Sequence, residues 1–131
     1  MPQPPTILFV CEHGAAKSVI AAAYFNKLAK ETNLGLRTIA RGTHPDQELS
    51  PETVAGLQED GLSPTESVPQ KLSLEDVQSA QQVIAFCELS EEYQSKAVVE
   101  RWDDVPPVSE NYEKARDAIV EKIKRLINNI A

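Results

Sequence analysis

The stretch Ile7-Leu8-Phe9-Val10-Cys11-Glu12-His13-Gly14-Ala15-Ala16-Lys17-Ser18 governs the reading of the rest of the chain. Residues 6–10 are apolar and β-branched or aromatic, without alternation. A run of that kind suits a central parallel strand covered on both faces. A cysteine ends it, a short loop with one glycine follows, and Lys17-Ser18 opens a helix-like segment. Successive amides in such a turn, followed by a helix N-terminus, form a concavity for anions. The same field favours a thiolate over a thiol. Gly14 supplies the freedom to take a positive φ. The reading is of a reaction centre: Cys11 is a nucleophile set for phosphate or another tetrahedral anion. Ser18 offers its hydroxyl to the thiolate, and Lys17 places positive charge beside the oxyanion. Glu12, His13, Gly14, Ala15 and Ala16 complete the oxyanion cradle. His13 either meets a ligand, tunes the thiolate or faces solvent.

Working outward, the helix after Ser18 runs to about Glu31, with Ile20, Ala23, Tyr24 and Leu28 on one face and Asn33 and Gly35 as its stop. Residues 36–41 read as a second strand and residues 42–46 as a loop. Ser50 caps a helix with Pro51 at its first position. Val54, Leu57 and Leu62 fit its buried side, and Gly61 ends it. Ser73-Leu74-Glu75-Asp76 resembles a capping box that opens a short helix. Residues 83–87 (Val-Ile-Ala-Phe-Cys) form another buried-type strand, and residues 97–99 a shorter one. Residues 101–107 are kept out of helix by Pro106 and Pro107. Ser109 is placed to cap the last helix. There Tyr112, Ala115, Ile119, Ile123, Leu126 and Ile130 recur at three or four residues, and Lys122, Lys124 and Arg125 sit late. This stripe is core or dimer surface.

Strand–helix alternation implies an α/β domain with a mainly parallel sheet and helices on both faces. Ligands of such sheets bind at the carboxyl ends of strands, near a topological switch point. Cys11, Cys87 and residues 102–107 all fall at carboxyl ends, so three separated stretches converge on one edge.

The chain has 131 residues, enough for one domain (1–131) with its own core. Its formal charge of -7 argues against broad nucleic-acid binding, which needs a basic face. It has no apolar run of about 18 residues to span a membrane. Residues 1–5 lack a signal-peptide pattern and read as a frayed proline arm. Two cysteines in such a chain read as cytoplasmic thiols. The two histidines have no metal-ligand spacing, and no cofactor is called for. His44 reads as a loop brace and Trp102 as a packing residue or pocket wall.

Cys-x5-basic-Ser after an apolar strand, near the start of a short α/β chain, resembles the low-molecular-weight protein tyrosine phosphatases and the related thioredoxin-coupled arsenate reductases. Residues 41–45 and 50–62 are similar to the second strand, loop and second helix of that family. Residues 83–87 resemble its fourth strand, and residues 102–107 occupy the place of its acid loop. The resemblance implies a four-stranded sheet in the order 2-1-3-4. It further implies a phosphocysteine intermediate on Cys11 and hydrolysis of phosphate monoesters, phosphotyrosine included. The expected partners are a phosphate- or arsenate-like oxyanion, a phosphorylated protein, and a thioredoxin-like reductant on the reductase alternative.

The chain departs from the family pattern at two supporting positions. The loop arginine is Lys17, which supplies charge without a planar fork. The aspartate of the acid loop is Pro106, leaving Asp104 or Asp103 as the nearest candidate acids. The family's loop asparagine is matched by Gly14. Cys87 fits the place of the reductases' resolving cysteine, but the third thiol of that relay is absent, since Glu88-Leu89-Ser90 follows. A third reading is an oxyanion-binding regulatory module with weakened catalysis.

Overall fold

A computed structural model describes residues 5–130; the proline arm expected at the N-terminus lies almost wholly outside the described residues. The elements are β1 (Thr6–Cys11), α1 (Lys17–Glu31), β2 (Arg37–Gly42), α2 (Pro51–Glu59), α3 (Leu74–Ser79), β3 (Gln82–Ala85), α4 (Glu91–Gln94), β4 (Val99–Arg101) and α5 (Tyr112–Ile130). The four strands pair in parallel in the order β2-β1-β3-β4, as the resemblance implies.

β1 lies between two neighbours and is apolar on both faces, which is why its sequence shows no alternation. Ile7 and Phe9 pack with α1, α2 and α5, while Leu8 and Val10 pack with Leu72, Val77 and Leu89 on the other side. Val83 and Ala85 of β3 join the second cluster and Ile84 the first. The larger core therefore sits under α1 and α5, and the smaller under α3. The α5 stripe lies against this larger core: Ala115, Ile119, Ile123, Leu126 and Ile127 are all buried.

The local signals hold at most element starts and stops. Ser50 Oγ accepts from Thr53 N at 3.3 Å. Ser73 and Asp76 exchange both bonds of a capping box at 3.1 Å. α1 stops at Asn33, which takes φ 57°.

Five expectations are corrected. Val54 is exposed; Thr53, Gly56 and Leu57 form the buried side of α2. The last strand begins two residues later than expected, and Val98 is 87% exposed. It runs on to Arg101, and Trp102 N just beyond it still donates to Ala85 O. α5 is capped by Asn111, whose Oδ1 accepts from Lys114 N at 3.0 Å, and Ser109 precedes it. Lys122, Lys124 and Arg125 lie before the last turn of α5, which holds no basic residue. A short helix, α4, stands where loop was expected; Ser90 O accepts from both Tyr93 N and Gln94 N.

Candidate active site

Cys11 closes β1 in register with Gly42, the last residue of β2. The loop 12–16 then turns between the end of the sheet and α1. Its conformation is set by the segment after β2. Thr43 N, His44 N, Asp46 N and Ser50 N donate to the carbonyls of Cys11, Glu12, His13 and Ala15, at 3.2, 2.7, 3.0 and 3.0 Å. In a trans peptide the C=O and the following N–H point in opposite directions. Four carbonyls drawn toward residues 43–50 therefore turn the amides of Glu12, His13, Gly14 and Ala16 away from those donors, and Glu12, His13, Ala15 and Ala16 line a cleft. The sequence pattern implies an anion-binding concavity here, and the loop stands at the head of α1.

The turn closes because two glycines meet. Gly14 takes φ 62°. A Cβ on Gly42 would lie 2.6 Å from Gly14 N, and one on Gly14 would lie 2.9 Å from Gly42 N. Neither backbone leaves room for a side chain.

Cys11 is buried, and its Sγ lies 3.0 Å from Ser18 Oγ, itself fully buried at the first turn of α1. Once the thiol has lost its proton, the hydroxyl is the only possible donor of this bond, and it then stabilises the thiolate. A cleft of about 330 Å3 opens over the thiol, with Cys11, His13, Lys17, Asp46, Phe86 and Cys87 among its walls and Pro107 and Val108 at the far side.

Lys17 lines the cleft, and its Nζ donates to Val105 O at 3.0 Å. The single cation at the head of α1 thus ties the cradle to the loop 102–108. That loop is held down at its start by Trp102, whose ring packs 5.9 Å from Phe9 and edge-on to Phe86 at 5.7 Å.

Asp103 and Asp104 are not brought to the cleft. Asp103 pairs with Arg101 at 2.8 Å, and Asp104 with Lys122 at 2.7 Å; their side chains are 62% and 76% exposed. The Lys122 ammonium holds the Asp104 carboxyl below its ordinary range, the reverse of what a proton donor needs. The loop bends outward here because its buried residues are Trp102, Val105 and Val108, which leaves the residues between them on the solvent side.

Cys87 lies just past β3, is half-buried and lines the same cleft as Cys11. Burial pushes its thiol up, and the neighbouring Cys11 adds to this, against a smaller opposing contribution from the Thr43 hydroxyl. The histidine of the loop is placed by two carboxylates: His13 Nδ1 is 3.2 Å from Asp46 Oδ1, and Nε2 is 3.8 Å from Glu12 Oε2. His44 braces its loop through Thr43, 3.3 Å from Nδ1. Sequence reasoning passed over Gly42 and Asp46. The first takes part in the turn, and the second lines the cleft.

A parallel sheet with a cysteine loop at its switch point, facing a cleft, defines an α/β protein whose ligand edge carries a cysteine. The chain belongs to the low molecular weight phosphotyrosine protein phosphatase family, whose family model matches residues 6–131. Solved structures agree on the fold. YfkJ from Bacillus subtilis is similar at a TM-score of 0.84 and 21% identity, over 98% of this chain and 96% of that one. A low molecular weight protein tyrosine phosphatase from T. tengcongensis matches at 0.82 and 22%, over 95% and 99%. An arsenate reductase from Archaeoglobus fulgidus matches at 0.74 and 23%, over 93% and 98%. Phosphatases and arsenate reductases thus share this architecture.

Proposed function

We propose that the protein is a single-domain phosphatase that hydrolyses phosphate monoesters, of the phosphotyrosine type, through a phosphocysteine on Cys11. The observation that carries this reading is the loop itself. Cys11 Sγ sits 3.0 Å from Ser18 Oγ and lines a cleft walled by Glu12, His13, Ala15 and Ala16, in a loop held by four backbone hydrogen bonds from residues 43–50. In the reaction, the Cys11 thiolate attacks phosphorus in line with the ester oxygen. The loop amides hold the equatorial oxygens, and Ser18 steadies the sulfur as it leaves in the second step. Lys17 supplies the local positive charge; to reach the oxyanion it exchanges its bond to Val105 O for one to the ligand.

The test is hydrolysis of an aryl phosphate. Turnover is expected in the wild type and absent in Cys11→Ser, with inorganic phosphate as a competitive inhibitor. A wild-type rate equal to the buffer blank, with phosphate still bound, would reject the enzyme and leave the oxyanion-binding module.

A second reading is favoured by one observation: Cys87 shares the cleft with Cys11. An arsenate reductase would use Cys87 to resolve an adduct on Cys11, with a thioredoxin-like reductant to restore both thiols. Against it stands the raised position of the Cys87 thiol, which keeps it protonated at neutral pH and slow to attack. Arsenate-dependent thiol consumption that disappears in Cys87→Ser would establish this reading in place of the first. Among the described residues no helix is long and apolar enough to cross a membrane.

A further inference from the structure

The cleft poses a problem of proton supply. Breaking an ester P–O bond to a poor leaving group requires a proton on the departing oxygen. The loop 102–108 offers none: position 106 is proline, and Asp103 and Asp104 are paired with Arg101 and Lys122 away from the cleft. The donor has to come from another wall.

His13 meets the requirements. It lines the cleft and has Asp46 within 3.2 Å of Nδ1. A carboxylate beside Nδ1 leaves Nε2–H as the proton offered outward. Glu12 is 3.8 Å from Nε2, too far for a hydrogen bond, so this proton is free for a ligand oxygen. The charged groups around the ring are Glu12 on its own loop, Asp46 beyond β2 and Lys17 at the head of α1, with the thiols Cys11 and Cys87 on the cleft wall. Imidazole is the side chain that both holds and gives up a proton near neutral pH.

We propose that His13, oriented by Asp46, is the general acid of this enzyme in place of the loop aspartate. The proposal rests on the phosphocysteine reading above. As the Cys11 Sγ–P bond forms, the P–O bond to the leaving group breaks and its electron pair stays on oxygen, which takes the Nε2 proton. The neutral imidazole then removes a proton from the water that attacks phosphorus. Inorganic phosphate leaves, the Cys11 thiolate is restored, and the imidazolium is regenerated.

The experiment compares wild type with His13→Gln on phenyl phosphate, whose phenolate leaves poorly, and on 2,4-dinitrophenyl phosphate, whose phenolate needs no proton. Loss of a general acid lowers kcat/KM on phenyl phosphate by about 10²-fold or more and leaves the dinitrophenyl ester within a few-fold of wild type. Asp46→Asn, which removes the carboxylate beside Nδ1, lowers the rate on phenyl phosphate and spares the dinitrophenyl ester. Equal loss on both esters, or no loss on phenyl phosphate, overturns the donor while leaving the phosphocysteine intact. Absence of any Cys11-dependent hydrolysis overturns the phosphocysteine reading and the donor together. If His13→Gln does not fold, Asp46→Asn decides the matter, and a rate on phenyl phosphate equal to wild type overturns the proposal.

Discussion

Gly42 and Gly14 meet backbone to backbone, and the whole cradle depends on that contact. A Cβ on Gly42 would lie 2.6 Å from Gly14 N and 2.8 Å from Gly14 Cα. The atoms in the way are main chain, so no rotamer change relieves the overlap. Gly42→Ala should therefore destabilise the fold by about 1–3 kcal/mol, the usual cost of forcing extra volume into a packed site. It should also cut turnover and phosphate affinity, because the amides of His13 and Gly14 move with the loop. Chemical denaturation and phosphate titration of the variant check both effects; unchanged phosphate affinity would show that the loop tolerates the shift. Gly14 was legible in the sequence because a turn after a strand asks for positive φ. Gly42 was not, since its φ is ordinary and its constraint is set by a residue 28 positions away. Lys17 is legible as charge but not as contact. That its Nζ reaches Val105 O depends on where residues 102–108 fold back.

At the scale of elements, the helices over the larger core are tied together by one carboxylate. Asp60, just past α2, accepts from Tyr24 Oη of α1, from Tyr112 Oη at 2.9 Å and from Arg116 at 3.0 Å, both of α5. Gly56 makes room for this, since a Cβ there would overlap the Tyr112 ring. Burial alone would push the Asp60 carboxyl up; the two phenol hydroxyls and Arg116 outweigh it, and the net direction is down. Burial first, and Asp60 second, push Tyr24 and Tyr112 well above the usual phenol range. Asp60→Asn should cost roughly 2–3 kcal/mol, the penalty for leaving partly buried donors poorly matched.

The pH signs follow from linkage. A depressed Asp60 contributes stability above its unfolded pKa, and this is lost as pH falls through its lower folded value. The raised tyrosines contribute stability below their unfolded pKa of about 10, lost as pH rises beyond it. Wild type should therefore lose stability at both extremes, and Asp60→Asn should flatten the acid limb; an identical acid limb in the two would exclude Asp60 as its source. Four helices were legible one by one, α1 and α5 from their apolar faces and α2 and α3 from their capping residues, while α4 was not. Their joint was not, because Tyr24, Asp60, Tyr112 and Arg116 carry no spacing relation in the chain. Strand ends were misplaced for a similar reason: β4 is defined by its pairing to β3, and its own residues, Val99-Glu100-Arg101, look like loop.

Taken whole, the molecule assembles its cleft from pieces that touch one another only in the folded state: the end of β1, the segment beyond β2, the end of β3 and the loop 102–108. A ligand seated there engages the folded chain and not the unfolded one, so its binding must stabilise the fold. At a concentration 100 times its dissociation constant, an oxyanion adds about 2.7 kcal/mol. For a domain of this size that corresponds to a rise in Tm on the order of 10 °C. Phosphate should produce this rise and chloride at equal ionic strength should not, because a tetrahedral anion can meet several amides at once. Cys11→Ser should keep most of the shift, since the amides of Glu12, His13, Gly14 and Ala16 do the binding and the sulfur does the chemistry. Lys17→Met should lose part of it, because the ammonium is the cation lining the cleft. Thermal unfolding of the three proteins across a phosphate series distinguishes these cases. A phosphate shift no larger than that of chloride would mean that the amides do not form an oxyanion site, whatever the rates show.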